Sequence, residues 1–108
     1  MVRAMPQPPA LTPEQRQAAL AKAAEARKAR AVVKERLKSG DLTFREVLEL
    51  ADRDELVAGI KVLAILESVP GVGKVTARRT MAEVGIADTR RIRGLGEQQR
   101  RALLEAFG

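Results

Sequence analysis

The sequence predicts an all-α fold of about five helices, with one long N-terminal helix ahead of a compact core. Three observations carry this. Two capping boxes, Thr12-Pro13-Glu14-Gln15 and Thr43-Phe44-Arg45-Glu46, mark helix starts. Residues 13–38 hold no further helix breaker and are rich in alanine. No stretch shows sustained strand alternation.

The first helix is expected over 13–38. Thr12 caps it, Pro13 occupies the first helical position, and Ser39-Gly40 supplies the stop. At about 1.5 Å per residue it would run roughly 39 Å. Val33 and Leu37 are large and apolar, whereas the first half offers mainly alanines and Leu20. The C-terminal half is therefore expected to dock and the N-terminal half to project. A short second helix follows from Thr43 to about Ala51. A third begins near Glu55 and, with Leu56, Ile60 and Leu63 at helical spacing and Val62, Ile65, Leu66 and Val69 widening the stripe, is expected to continue as a buried central helix to Pro70-Gly71. A fourth runs from about Gly73 to Gly85 with Ala77, Met81 and Val84 on one face. Leu103 and Phe107 mark the last, with Leu104 adding to its packing.

Composition narrows the function. The chain has 108 residues, 45% hydrophobic and 31% charged, with 20 Lys plus Arg against 14 Asp plus Glu. A formal net charge of +6 points to an anionic partner. His and Cys are both absent, which removes His/Cys metal sites, His-dependent nucleophile systems, disulfides and thiol redox chemistry. We expect no metal, no cofactor and no enzymatic activity. Phe44 and Phe107 are the only aromatic residues, too few for a binder that stacks single-stranded bases.

Residues 1–11 contain Pro6, Pro8 and Pro9 and are expected to form a flexible lead-in, leaving 12–108 as one helical domain. They carry no apolar run typical of a secretory signal, and nothing elsewhere approaches a membrane span. A cytoplasmic location without membrane contact is the expectation. Met5 offers an alternative start. Charge is segregated: residues 12–38 carry +5, residues 39–60 carry −4 and residues 61–108 carry +4. Two basic regions flank an acidic one, which suggests two contact surfaces and one face turned away from a polyanion. The acidic group Glu46, Glu49, Asp52, Asp54 and Glu55 reads as that solvent-facing side.

The most informative stretch is Val69-Pro70-Gly71-Val72-Gly73-Lys74-Val75-Thr76-Ala77-Arg78. An apolar helix breaks at Pro-Gly, and Gly-Lys opens the next. Amide N–H groups at that start lie beside the positive end of the helix dipole, where a phosphate fits. Lys74 adds a full charge, and Arg78 and Arg79 lie one turn further on. An ordinary tight turn between antiparallel helices is the plain alternative. A P-loop is excluded by the glycine spacing and the missing strand. The hairpin resembles the helix-hairpin-helix and helix-two-turns-helix class of nucleic-acid binders, whose hairpins grip phosphates without reading bases.

The second feature is Thr89-Arg90-Arg91-Ile92-Arg93-Gly94-Leu95-Gly96. Three arginines within four residues suit phosphate or narrow-groove contacts. Ile92 either anchors the loop inward or lies against sugar and base edges, and a solvated surface loop is the plain reading. Arg27, Arg30, Lys34 and Lys38 share a face of the first helix. They form either an auxiliary contact along a phosphate backbone or a solvated helix face.

These segments occur in one order with Leu11-Thr12-Pro13-Glu14-Gln15-Arg16 and the closing Ala102-Leu103-Leu104-Glu105-Ala106-Phe107-Gly108. Together they resemble the actinobacterial integration host factor family over almost the whole chain. The resemblance implies a nucleoid-associated protein that binds duplex DNA largely without sequence preference and bends or compacts it. It also implies a role in chromosome organisation and recombination, alongside recombinase or integrase complexes. In that family the hairpin forms one DNA surface, here about 69–76, and the arginine loop acts as a lid, here about 87–99. The rival readings are an rRNA-binding ribosomal-type protein, an enzyme built on a similar hairpin, and a basic protein-interaction module. The enzyme reading lacks room for a second, catalytic domain.

Overall fold

The computed structural model describes residues 10–108, and the described residues are all-helical. Most of the expected lead-in, residues 1–9, lies outside them. The helices are α1 (Pro13–Ser39), α2 (Phe44–Ala51), α3 (Glu55–Ala58), α4 (Val62–Ser68), α5 (Lys74–Val84) and α6 (Glu97–Phe107), with a 3₁₀ turn at Ile92–Gly94. Both capping boxes form. The Gln15 N–H donates to Thr12 Oγ1 at 3.1 Å and the Glu46 N–H to Thr43 Oγ1 at 3.1 Å. The reciprocal bonds from the Thr12 and Thr43 N–H groups to the Gln15 and Glu46 side chains are both 3.0 Å.

Helix α1 behaves as two halves. Residues 11–28 are exposed throughout, while Val33 and Leu37 are buried against α3 and α4. The first half therefore projects, as the uneven placement of its apolar residues predicts. The core below the second half is built from Val47 and Leu48 of α2, Val62, Ile65 and Leu66 of α4, Ala77 and Met81 of α5, and Leu103 of α6. Phe44 meets Phe107 edge-on, ring centroids 6.2 Å apart, which closes the two ends of the core chain against each other. Two buried positions, Leu42 and Ile86, sit in connections where periodicity gives no signal.

One expectation needs correction. The continuous third helix is two helices, α3 and α4, separated by Gly59-Ile60-Lys61. Asp54 caps α3 by accepting the Leu56 N–H at 2.9 Å, and Lys61 turns extended at φ −67°, ψ 136° before α4 begins. The break reorients the stripe: Ile60 is 3% exposed but Leu56 is 36% exposed. Periodicity could not show this, because the interruption falls inside an apolar run. The physical reason lies far along the chain. The Val62 N–H donates to Arg90 O at 3.0 Å and the Ile92 N–H to Ile60 O at 3.0 Å. A continuous helix would close Ile60 O and the Val62 N–H into its own ladder. Glycine's poor helix propensity, about 1 kcal/mol below alanine, lowers the cost of stopping there.

Arg100 of α6 grips Asp52 at the end of α2 with two hydrogen bonds of 2.9 Å. The hydrogen bond from Arg100 holds the Asp52 carboxyl below its ordinary value of 3.8, outweighing the opposing effect of desolvation. A carboxylate with a lowered folded-state pKa stabilises above its unfolded value and loses that contribution as pH falls through the folded one. The Tm gap between the wild type and Asp52→Asn should therefore be present at neutral pH and close in acid below 3.8. Thermal melts across pH measure it, and a gap that persists in strong acid contradicts the pairing.

The two-part character of α1 also has a direct consequence. Leu37→Ala, in the docked half at a site 1% exposed, should cost about 2–5 kcal/mol of unfolding free energy. Leu20→Ala, at a site 62% exposed, should change it by less than about 0.5 kcal/mol. Denaturant titration reads both. A large loss at Leu20 would mean that the projecting half is packed in solution.

Candidate nucleic-acid interface

The hairpin between α4 and α5 is anchored from inside and open outside. Val69 and Val72 are half-buried and pack on the core, and the Val72 N–H donates to Val69 O at 3.1 Å to close the turn. Gly71 sits at φ +83°, a conformation that strongly favours glycine. Pro70, Gly71, Gly73, Lys74, Val75 and Thr76 are exposed. No side chain caps α5 at Gly73, and its first turn carries no acidic residue. A Cβ at Gly73 would meet nothing within 4 Å, so the approach to the helix start is clear. The first N–H groups of α5 thus face outward without side-chain partners, with Lys74, Arg78 and Arg79 exposed around them. That is the arrangement expected of an anion site at a helix start. Val75 is 69% exposed beside it, an apolar side chain among cations.

The arginine loop is held in place by its backbone. Lys61 and Arg91 form an isolated antiparallel bridge, and Ile92 between the arginines is only 5% exposed. Of the two orientations open to Ile92, the structure has the inward one. The three arginines differ in environment. Arg90 is half-buried and its guanidinium donates to Gly94 O at 2.8 Å and to Gln99 Oε1 at 3.3 Å, bracing the loop. Arg91 and Arg93 are exposed. Arg91 donates to Gly59 O, and Arg93 lies so close to Gly59 that a Cβ there would come 2.8 Å from its Nη2. Both reach back to the helix break.

Two residues that sequence reasoning passed over matter here. Gln99 accepts from the Gly96 N–H at 3.0 Å and donates to Gly85 O at 3.2 Å, so it ties the loop to the end of α5. Its position three residues after the N-cap Gly96 lets it make only the returning half of a capping box, because glycine has no side chain to complete it. Lys61 is the second. It shares a cleft with Arg30, Arg91 and Arg93, formed where α1 passes the α3–α4 break. The α1 stripe is thereby divided: Arg30 joins the loop arginines, Lys34 and Lys38 line a separate shallow depression, and Arg27 lines neither. Among the described residues no group of three acidic, His or Cys side chains could hold a metal ion, and no helix is long and apolar enough to cross a membrane.

Comparison with known proteins follows the same lines. Residues 37–107 match the S13-like H2TH domain family. The chain is 57% identical over 100 residues to the integration host factor of Mycobacterium tuberculosis, covering 93% of this chain and 95% of that protein. It is 57% identical over 99 residues to that of Mycolicibacterium smegmatis, covering 92% and 94%. With the Streptomyces coelicolor integration host factor the identity is 50% over 100 residues, covering 93% and 94%. A solved structure described as sIHF bound to an 8 bp palindromic DNA superposes with a TM-score of 0.75 at 46% identity, covering 81% of this chain and 98% of that one. With a helix-two-turns-helix domain over most of its length and relatives this similar end to end, the chain belongs to the actinobacterial integration host factor family.

Proposed function

We propose that this protein is an architectural binder of duplex DNA that grips backbone phosphates, largely without sequence preference, and bends or compacts the duplex. The observation that carries the reading is the exposed, acid-free start of α5 at Gly73-Lys74, which offers backbone amides and a lysine to one phosphate. A phosphate contact of this kind positions a protein on DNA but reads no base. The integration host factor relatives and the DNA-bound solved structure support the same partner. The hairpin residues Val69, Pro70, Gly71, Val72, Gly73, Lys74, Val75, Thr76 and Arg78 form the first surface. Arg91 and Arg93 face the duplex from the second, with Arg90 and Gly94 holding that loop in shape. Residues 12–108 act as one DNA-binding unit in the nucleoid, and recombinase complexes are the setting in which such bending serves.

Lys74 should carry a sequence-independent share of affinity. Losing one charge-assisted contact removes about 1.5–3 kcal/mol, so Lys74→Ala should weaken binding roughly tenfold or more on every duplex. It should also lower the slope of log affinity against log salt by about 0.9. Anisotropy titrations on unrelated duplexes at several salt concentrations measure both, and a structured RNA competitor should bind less well than duplex DNA. An unchanged slope in folded Lys74→Ala, or preference for the RNA, would remove the hairpin–DNA reading.

Bending needs the second surface. One hairpin touches a short stretch of backbone and gives no reason to curve. Bending a duplex by tens of degrees costs on the order of 1–6 kcal/mol, which contacts at Arg91 and Arg93 can offset. The double variant Arg91→Ala/Arg93→Ala leaves Arg90 to brace the loop. At matched occupancy it should bend or compact long DNA less than the wild type in single-molecule imaging. Equal bending by both would reduce the loop to an affinity element.

A further inference from the structure

We propose that the cleft between α1 and the α3–α4 break is a binding site for a free nucleoside diphosphate or triphosphate, which competes with DNA for the arginine loop. The competition rests on the DNA reading above; the nucleotide site does not. The cleft has a volume of about 330 Å³. Four cationic side chains line it, Arg30 from α1, Lys61 from the break, and Arg91 and Arg93 from the loop. They come from three separate segments, so the clustering is a product of the fold and is invisible in the sequence. A polyphosphate carrying three or four negative charges matches that set, and arginine forks suit phosphate oxygens.

The walls argue for more than a phosphate. Ala26, Ala64 and Leu56 also line the cleft, and Leu56 is 36% exposed, a large apolar residue left bare by the helix break. Small-molecule sites combine apolar walls with a few polar groups and start at roughly 300 Å³, which fits one mononucleotide and no larger cofactor. Glu55 lines the same cleft and is its only carboxylate. A carboxylate repels phosphate but accepts hydrogen bonds from ribose hydroxyls or an exocyclic amine. A DNA backbone is convex and rides on exposed arginines, whereas the recess beneath them admits only a smaller anion. Because Arg91 and Arg93 belong to both the recess and the loop surface, a nucleotide held there withdraws them from DNA.

The test measures nucleotide and DNA separately. Fluorescently labelled ADP is titrated into the full chain with no DNA present. Saturable 1:1 binding is expected, displaced by unlabelled ADP, and weakened at least tenfold in both Arg30→Glu and Lys61→Glu. Arg30 is exposed mid-helix on α1 and takes no part in the backbone pairing that pins the loop, so its variant keeps the fold even if Lys61→Glu does not. Lys22→Glu, on the projecting half of α1 and outside the cleft, should bind labelled ADP as the wild type does. Inorganic tripolyphosphate should displace the probe at least tenfold less well than ADP relative to its charge-matched concentration. DNA titrations with saturating ADP, at constant ionic strength, should show weakened binding in the wild type and no further weakening in Arg91→Ala/Arg93→Ala. Absent saturation, loss of binding in Lys22→Glu equal to that in Arg30→Glu, or displacement by tripolyphosphate as good as by ADP overturns the site. Normal ADP binding with no effect on DNA overturns the competition alone. Failure of the wild type to bind DNA without nucleotide falls on the proposed function instead.

Discussion

The arrangement of this protein turns on one substitution of partners: at Ile60 and Val62 a helical ladder gives way to pairing with a loop thirty residues later. Ile60 O accepts the Ile92 N–H and the Val62 N–H donates to Arg90 O, each at 3.0 Å. Backbone groups that would have closed one long helix hold the arginine loop instead. The exchange keeps these groups satisfied, which is why it costs little in a buried region. Gly59 eases it in two small ways. Its low helix propensity favours ending α3, and a Cβ there, 2.8 Å from the Arg93 Nη2, would push the tip of that side chain aside. Ile92 then seals the loop into the core, so the arginines on either side project from a fixed base.

The two cationic surfaces are built on different physics. At the hairpin the proposed anion site is mainly backbone: uncapped amides at the start of α5, their dipole, and one lysine. Its geometry is set by Gly71 and by the half-buried Val69 and Val72, and Lys74 is the one long side chain that must be ordered beside the amides. At the loop the charges are long side chains around a cleft, and ordering each one costs conformational entropy. Arg90 and Gln99 reduce that cost by fixing the backbone from which Arg91 and Arg93 extend. A preorganised site suits continuous grip, and an adaptable one suits a duplex whose shape changes on binding.

Much of this was legible in the residues. Capping boxes read from Thr12 and Thr43 form as drawn, because they depend only on neighbours three positions apart. The hairpin was legible for the same reason, since Pro70-Gly71-Val72-Gly73-Lys74 specifies a turn and a helix start locally. The division of α1 into docked and projecting halves followed from the sizes of Val33, Leu37 and the alanines. The α3–α4 break was not legible, because a tertiary contact decides it and Leu56, Ile60 and Leu63 mimic one helical face. For that reason Lys61 went unnoticed, since its meeting with Arg30, Arg91 and Arg93 exists only after the break forms. The differing roles of the three loop arginines were equally hidden, as identical residues in one loop carry no sign of which faces Gln99.

The placement of charge bears on how a small helical protein can deform a stiff duplex. Concentrating all cations on one strip would maximise attraction, yet a straight duplex would satisfy that strip without bending. Here the acidic stretch at residues 39–60 separates the basic α1 from the basic C-terminal half along the chain, and Asp52 is held by Arg100. The fold then returns Arg30 of α1 to Lys61 and the loop, while the α5 start remains at another element's end. Attraction is thereby delivered at two structurally independent places, each anchored to the same core through Ile92 and through Val72. Because that core is packed with fully buried residues such as Ile65, Leu66 and Met81, it resists deformation. On the bending mechanism proposed above, the duplex is the partner that yields once contacts at both places are worth more than the elastic cost.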